Sequence, residues 1–416
     1  MLTFKSIKRY VYEDLVVRMA LMLCVFAKIS PRKVERALQV FNFMLGNVLG
    51  DIPEHTTIRT WIAKSGVDAM SNKNISIEEA YALVVDGSIS VGDQQMMLAL
   101  KVPADHNGKT ALNHADAEVV GMQVEKSWKA EDVEAFIQGV ADNQQHSPEY
   151  CITDNGPNLK KAIADLGIPH HRDISHTFAT FLKAVYNEDA EFKQFSESAG
   201  KAKHLALSDV AYLMPCKQRT IARFMNVYPM VNWASKVLDN VYKFTAKEKM
   251  HYSFVTKNAS LVDELKEDIS VFEEVMELCK SKGFSIENVR KCKAVIKSKL
   301  SCGNTRQIEL VGLLISYLDK ESQLLTEERP VHYISSDIIE SKFSLGKSVL
   351  STCKVCGFTE SVLILPLTAK YATLESAEKV NIKSIMERTR MNDIAQWKAK
   401  HLKPNPLIKR KEKLSA

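Results

Sequence analysis

The sequence predicts a mixed α/β protein: a sheet core preceded by a helical N-terminal region and interrupted by an all-helical insertion. Three observations carry this. Between residues 80 and 172, short apolar runs rich in β-branched residues alternate with turns and two helix-like stretches. Before about residue 75, and again from 190 to 330, apolar positions repeat at helical spacing with few strand signals. A chain of 416 residues is long for one domain and suggests two to four.

The N-terminal region, 1–75, reads as helices. The apolar run Leu15 to Ala27 is broken by Arg18 and is too short to span a bilayer, so it reads as a core helix. Ser30-Pro31 has the form of an N-cap followed by Pro at the first helical position. The helix after it, Arg32 to Leu49, spaces Val34, Leu38, Phe41 and Met44/Leu45 for one inward face. His55 to Gly66 reads as a short helix that stops at its glycine, with Ile58, Trp61 and Ile62 inward and Thr57, Arg59, Thr60 and Lys64 outward. Helix, turn and polar-faced helix fit a helix-turn-helix whose second helix enters the major groove. They fit a plain helical hairpin equally well. In the first case Thr57, Arg59 and Lys64 grip phosphates.

Strands are expected at Ala80–Ser90, Gln95–Val102, Glu118–Val124, Glu149–Thr153 and Ile168–Arg172. Helices are expected at Ala130–Ala141 and Asn158–Leu166. Three strands, helix, strand, helix, strand is the order of a ribonuclease-H-like domain, here placed at 76–189. In that order the first and fourth strands are neighbours, so Asp86 and Asp154 sit at adjacent strand ends. A single Asp there is more often a turn cap. Two carboxylates held together repel unless cations neutralise them. Hard oxygen donors on rigid strands suit Mg²⁺, and two such ions stabilise both oxygens of an in-line displacement at phosphorus. A third acid on a later helix completes such a set. Glu340, in Ser335-Ser336-Asp337-Ile338-Ile339-Glu340-Ser341-Lys342-Phe343, is preferred over Asp337, which reads more simply as a first-turn acid favoured by the helix dipole.

Val-Val-Asp-Gly-Ser, Ile-Thr-Asp-Asn-Gly-Pro-Asn-Leu-Lys-Lys-Ala-Ile, Arg-Asp-Ile-Ser-His-Thr-Phe-Ala-Thr-Phe-Leu-Lys and Ser-Asp-Ile-Ile-Glu-Ser-Lys-Phe, in that order, resemble the DDE transposases of bacterial insertion sequences. Gln218 to Asn226, with Val231-Asn232-Trp233-Ala234 after it, is similar to a stretch common in one such group. The likeness covers about residues 30–355. It implies cutting at transposon ends by metal-activated water, then joining of a 3′-hydroxyl to target DNA. The implied cofactor is two Mg²⁺, with Mn²⁺ substituting. The implied partners are double-stranded DNA and a second copy of the chain, in a bacterial cytoplasm at the nucleoid. A binding protein derived from such an element, and a structure-specific nuclease on the same fold, are the rival readings. The 186 positions from Asp154 to Glu340 exceed any loop, so a folded insertion is expected at 190–330, with the last core helix in 331–360 and a C-terminal region at 361–416.

His176 reads either as an active-site His that orients water or phosphate, or as a capping neighbour of Asp173. Trp233 reads as a base-stacking platform or as core, and Arg219 and Arg223 as phosphate clamps. Lys347 lies two turns beyond Glu340. Cys353 and Cys356 suggest zinc, but no second close pair follows to complete four ligands. Cys24, Cys151, Cys216 and Cys279 read as buried thiols. Eight Cys and no signal-peptide pattern point to a reducing cytoplasm. Net charge is +6 with a pI near 8.7, which permits a polyanionic partner without demanding one. Lys409 and Arg410 belong to a basic stretch after Pro404 and Pro406, expected to be a disordered tail that adds salt-dependent affinity for DNA.

Overall fold

A computed structural model describes residues 7, 11–71, 80–204, 213–215, 224, 227–301, 303–349 and 357–415. Arg219, Arg223, Cys216, Cys353 and Cys356 lie outside them, as do the side chains of Lys347, Lys409 and Arg410. By compactness the chain forms two units: a sheet unit (1–104, 112–170 and 336–416) and a helical unit (105–111 and 171–335).

The sheet unit opens with α1 (Asp14–Val25), α2 (Pro31–Met44) and α3 (His55–Ser71). Arg18, which interrupts the apolar run of α1, donates to the carbonyls of Ala377, Glu378 and Val380 and so closes the end of a later helix. α2 departs from its expected facing. Val34, Leu38 and Asn42 are buried, while Phe41, Met44 and Leu45 are exposed. Asn42 turns inward because its side chain satisfies the turn that ends the helix, accepting from Leu49 N (2.8 Å) and donating to Gly50 O (2.9 Å). Gly66 does not stop α3. It lies mid-helix because a Cβ there would meet the Leu363 carbonyl oxygen at 2.2 Å, so the missing side chain admits a neighbouring backbone.

The sheet follows: β1 (Tyr81–Val91), β2 (Gln94–Pro103), β3 (Glu118–Glu125), then α4 (Ala130–Gln144), β4 (Tyr150–Thr153), α5 (Pro157–Asp165) and β5 (His170–Arg172). The spatial order is β3-β2-β1-β4-β5. β1 is antiparallel to β2 and parallel to β4, so it is central. Tyr81 to Val85 are fully buried, as the unbroken apolar run predicts. Leu83 and Val85 share one core with Cys151, Val133, Ile137 and Ile163, which places α4 and α5 on that face. Ala82, Val84 and Asp86 take the opposite face by strand alternation.

The helical unit contains α6 (Ile174–Tyr186), α7 (Ala190–His204), α8 (Val227–Asn240), α9 (Ala246–His251), α10 (Ser253–Lys257), α11 (Ala259–Lys282), α12 (Ile286–Leu300) and α13 (Thr305–Ser322). A short antiparallel pair, β6 (Phe284–Ser285) with β7 (Val331–His332), joins them. Its core runs from Ile174 through Phe272 and Leu314 to Ile334. α6 packs on α11 and α13, so this unit begins at 171, where the sequence suggests 190.

The sheet unit closes with α14 (Asp337–Val349), α15 (Leu367–Lys370), α16 (Leu374–Glu378), α17 (Ile382–Arg388), α18 (Met391–His401) and α19 (Pro406–Ser415). The basic stretch is therefore helix and not a disordered tail. Asn405 accepts from Leu407 N (2.9 Å), and Pro406 at the first position presets the backbone. α3 packs against α1, α2, α17 and α18, so the expected N-terminal helical region shares one unit with the sheet. Among the described residues, no helix is long and apolar enough to cross a membrane.

Candidate active site

β1 and β4 pair in parallel through Val85 and Thr153. The next residue on each chain is Asp86 and Asp154. The two acids therefore follow directly on paired residues of neighbouring strands. Asp86 is not at the end of its strand, since β1 continues to Val91. The β1–β2 register shifts between Asp86 and Ile89, so a bulge follows the acid directly. Such a bulge re-aims side chains next to it and removes the simple turn-capping role for Asp86. Asp86 is buried, at 7% exposure.

Asp154 is half-buried, and its Oδ1 accepts from Gly156 N at 2.8 Å. This Asx turn fixes the carboxylate before Pro157 begins α5. Thr153, fully buried beneath it, bonds to the Asp154 carbonyl (2.9 Å) and to His170 Nε2 (2.7 Å). The hydroxyl has one proton and a carbonyl can only accept, so His170 donates from Nε2. His170 escapes a reading of the sequence because nothing local pairs it with residue 153. The sheet order, which sets β5 beside β4, does.

Glu340 lies in the first turn of α14, which packs against β1. Ile338, Ile339 and Phe343 are buried as expected, and Glu340 and Asp337 are exposed. Lys342 is fully buried on the same helix and donates to Thr368 Oγ1 at 2.6 Å. Burial pushes its ammonium down to about 7. A buried lysine here pins α14, and the sequence pattern, which shows only a charged residue on a helix, does not signal it.

Among the described residues, no group of three His, Cys, Asp or Glu is close enough to hold a metal ion. The structure thus sets Asp86 and Asp154 next to paired residues of neighbouring strands, and Glu340 on α14, which packs on β1. The donor chemistry still fits Mg²⁺, which binds through one or two carboxylates and keeps several waters.

The other described candidates divide between the two units, His176 and Trp233 in the helical unit and those of α3 in the sheet unit. His176 is half-buried in the helical unit, where its backbone N donates to Asp173 Oδ1 (2.7 Å), so Asp173 is the N-cap of α6. Trp233 is core. It is 8% exposed, its indole donates to Leu213 O (2.7 Å), and its ring packs against Tyr252 and Phe254. A buried, satisfied indole offers no face to a base. On α3, Thr57 is half-buried and Lys64 donates to Met386 O (3.5 Å). Arg59 is exposed, 3.7 Å from Glu360, and lines a cleft of about 670 Å³ with Arg32 and His55. The second half of α3 is buried on all sides from Ser65 to Ala69, which favours the packed hairpin for that half. Cys24, Cys151 and Cys279 are buried thiols. Compared with known proteins, the sequence matches no family model and no curated relative.

Proposed function

We propose that this chain is a DDE transposase, a ribonuclease-H-like enzyme that binds insertion-sequence ends, cuts them and transfers their 3′ ends to target DNA. The observation that carries the reading is the adjacency of Asp86 and Asp154 across the parallel β1–β4 pair, in a sheet ordered β3-β2-β1-β4-β5. That order and that acid placement are what the resemblance requires. Asp86 and Asp154 would hold Mg²⁺ with its waters, and Glu340, on α14 beside β1, would supply the third carboxylate. When bound, the metal supplies charge neutralisation at the scissile phosphate and a nucleophile at neutral pH. The chain's own share is positional. The Asx turn fixes Asp154, the bulge aims Asp86, and the buried Thr153–His170 bond braces the end of β4. His170 orients the ground beneath the carboxylates and does not touch DNA in this reading.

The test uses a labelled duplex carrying the sequences that flank the coding region, with Mg²⁺, Mn²⁺ or EDTA. Metal-dependent nicking at the insertion-sequence end is expected. Asp154→Ala should bind the duplex like wild type and lose cleavage by about 10²–10³-fold or more, since a catalytic metal is worth several kcal/mol. Binding with no cleavage in either metal would favour the derived DNA-binding protein. Cleavage without joining of 3′ ends would favour the nuclease. Cleavage that survives in Asp154→Ala would place the active site elsewhere.

A further inference from the structure

α2 carries more apolar surface than its own fold uses. Its core side is Val34, Leu38 and Asn42. On its outer side and in the turn beyond, Val40, Phe41, Phe43, Met44, Leu45 and Val48 are each between 41% and 82% exposed. Other exposed large apolar side chains among the described residues are scattered singly or in pairs along the chain. Isolated ones are ordinary, whereas a contiguous patch marks a contact surface.

Size and charge decide what fits. A large apolar side chain offers roughly 150–200 Å², so these exposures amount to about 600 Å² per copy. Two such faces together bury about 1,200 Å², which reaches the range of a stable interface. No charged residue occurs between Ala37 and Gly50. The face therefore offers nothing to a polyanion, and its complement is another uncharged apolar face. Arg32, Lys33 and Arg36 stand exposed at the opposite end of the helix. An antiparallel crossing centred near Phe43 keeps the two Lys33 residues about 30 Å apart by helix rise. That exceeds the ~10 Å screening length, so the basic ends do not oppose the contact.

We propose that the outer face of α2, centred on Phe43 and Met44, is a self-association surface on which a second copy of this chain packs its own α2 about a two-fold axis. Such a contact is isologous, so one patch suffices for both partners. It stands apart from the catalytic reading and holds or fails whether or not the chain cuts DNA.

Sedimentation velocity of the full chain, without DNA and over a wide concentration range, tests it. Wild type should show a monomer–dimer equilibrium. Phe43→Glu/Met44→Glu should weaken it by about 30-fold or more, the size of a hot-spot loss. Met250→Glu, at a similarly exposed but isolated position (75%), should dimerise like wild type. If the double variant melts below wild type, Phe43→Ser, which removes the ring without adding charge, must still weaken the dimer. A wild type that stays monomeric throughout overturns the proposal. So does a dimer that persists in both Phe43 variants.

Discussion

The His171 imidazole is held from both sides inside the helical unit. Its Nδ1 lies 3.0 Å from Glu321 Oε2 and its Nε2 lies 2.8 Å from His332 Nδ1. Arg172 Nε donates to the other Glu321 oxygen at 2.8 Å. An ionised carboxylate only accepts, so His171 donates to it from Nδ1. Burial, with His171 and Arg329 nearby, holds His332 down to about 3. Burial alone would raise the Glu321 carboxyl, but its bonds to His171 and Arg172 hold it below the usual value. Both shifts act in one direction. From about pH 6.5 down to about 3, the unfolded chain binds a proton at His332 that the folded chain refuses. Stability therefore falls by about 1.4 kcal/mol per pH unit across that window. Glu321 adds stability that is present above its unfolded pKa and lost as pH falls through its folded one. His332→Asn keeps a neutral hydrogen-bonding group without the titration. Its stability, followed by urea unfolding at a series of pH values, should fall less steeply than wild type below pH 6.5. An unchanged acid slope would show that His332 is protonated in the fold.

At the scale of elements, what the sequence disclosed and what it hid have separate physical causes. β1 was legible because a short apolar run, Ala82-Leu83-Val84-Val85, carries adjacent β-branched residues and is bounded by Asp86-Gly87, which favours a buried strand over a helix. Asp154 was legible because Asp-Asn-Gly-Pro writes its own turn. α2 misled because Phe41 and Met44 have helical spacing, yet the turn at 45–50 demands a polar partner and Asn42 supplies it from the inner face. Periodicity cannot register such a demand. Gly66 misled for a related reason. A glycine after a helical run reads as a stop, whereas here it is the point where the Leu363 backbone meets α3. Gly66→Ala should therefore destabilise the sheet unit despite its better helix propensity. A Cβ at 2.2 Å from a backbone oxygen cannot be relieved by a rotamer change, and overpacking of this kind costs about 1–3 kcal/mol. A lower thermal midpoint by several degrees is expected. A rise, as propensity alone would give, would mean that the contact between α3 and the turn at Glu360–Ile364 is loose.

At the scale of the whole molecule, the two units have separate hydrophobic cores, one built on β1 and α4 and the other on α6, α11 and α13. The chain leaves the first unit at His170 and returns to it at Ser336. This division explains how 186 positions can separate Asp154 and Glu340 although both belong to the sheet unit, and why the sequence shows the helical unit only as a long absence of strand signals. Separate cores need not melt together. The buried His171–Glu321–His332 network belongs entirely to the helical unit. Acid should therefore act on that unit through His332, and on the sheet unit through His401, which burial holds down to about 4 and which takes up a proton only on unfolding between about pH 6.5 and 4. Differential scanning calorimetry of the full chain should resolve two transitions as pH is lowered from 7 to 5. His332→Asn should lessen the downward shift of one transition on acidification and leave that of the other unchanged. The other should move with Gly66→Ala and not with His332→Asn. A single transition at every pH, displaced equally by both substitutions, would show that the units unfold as one cooperative body.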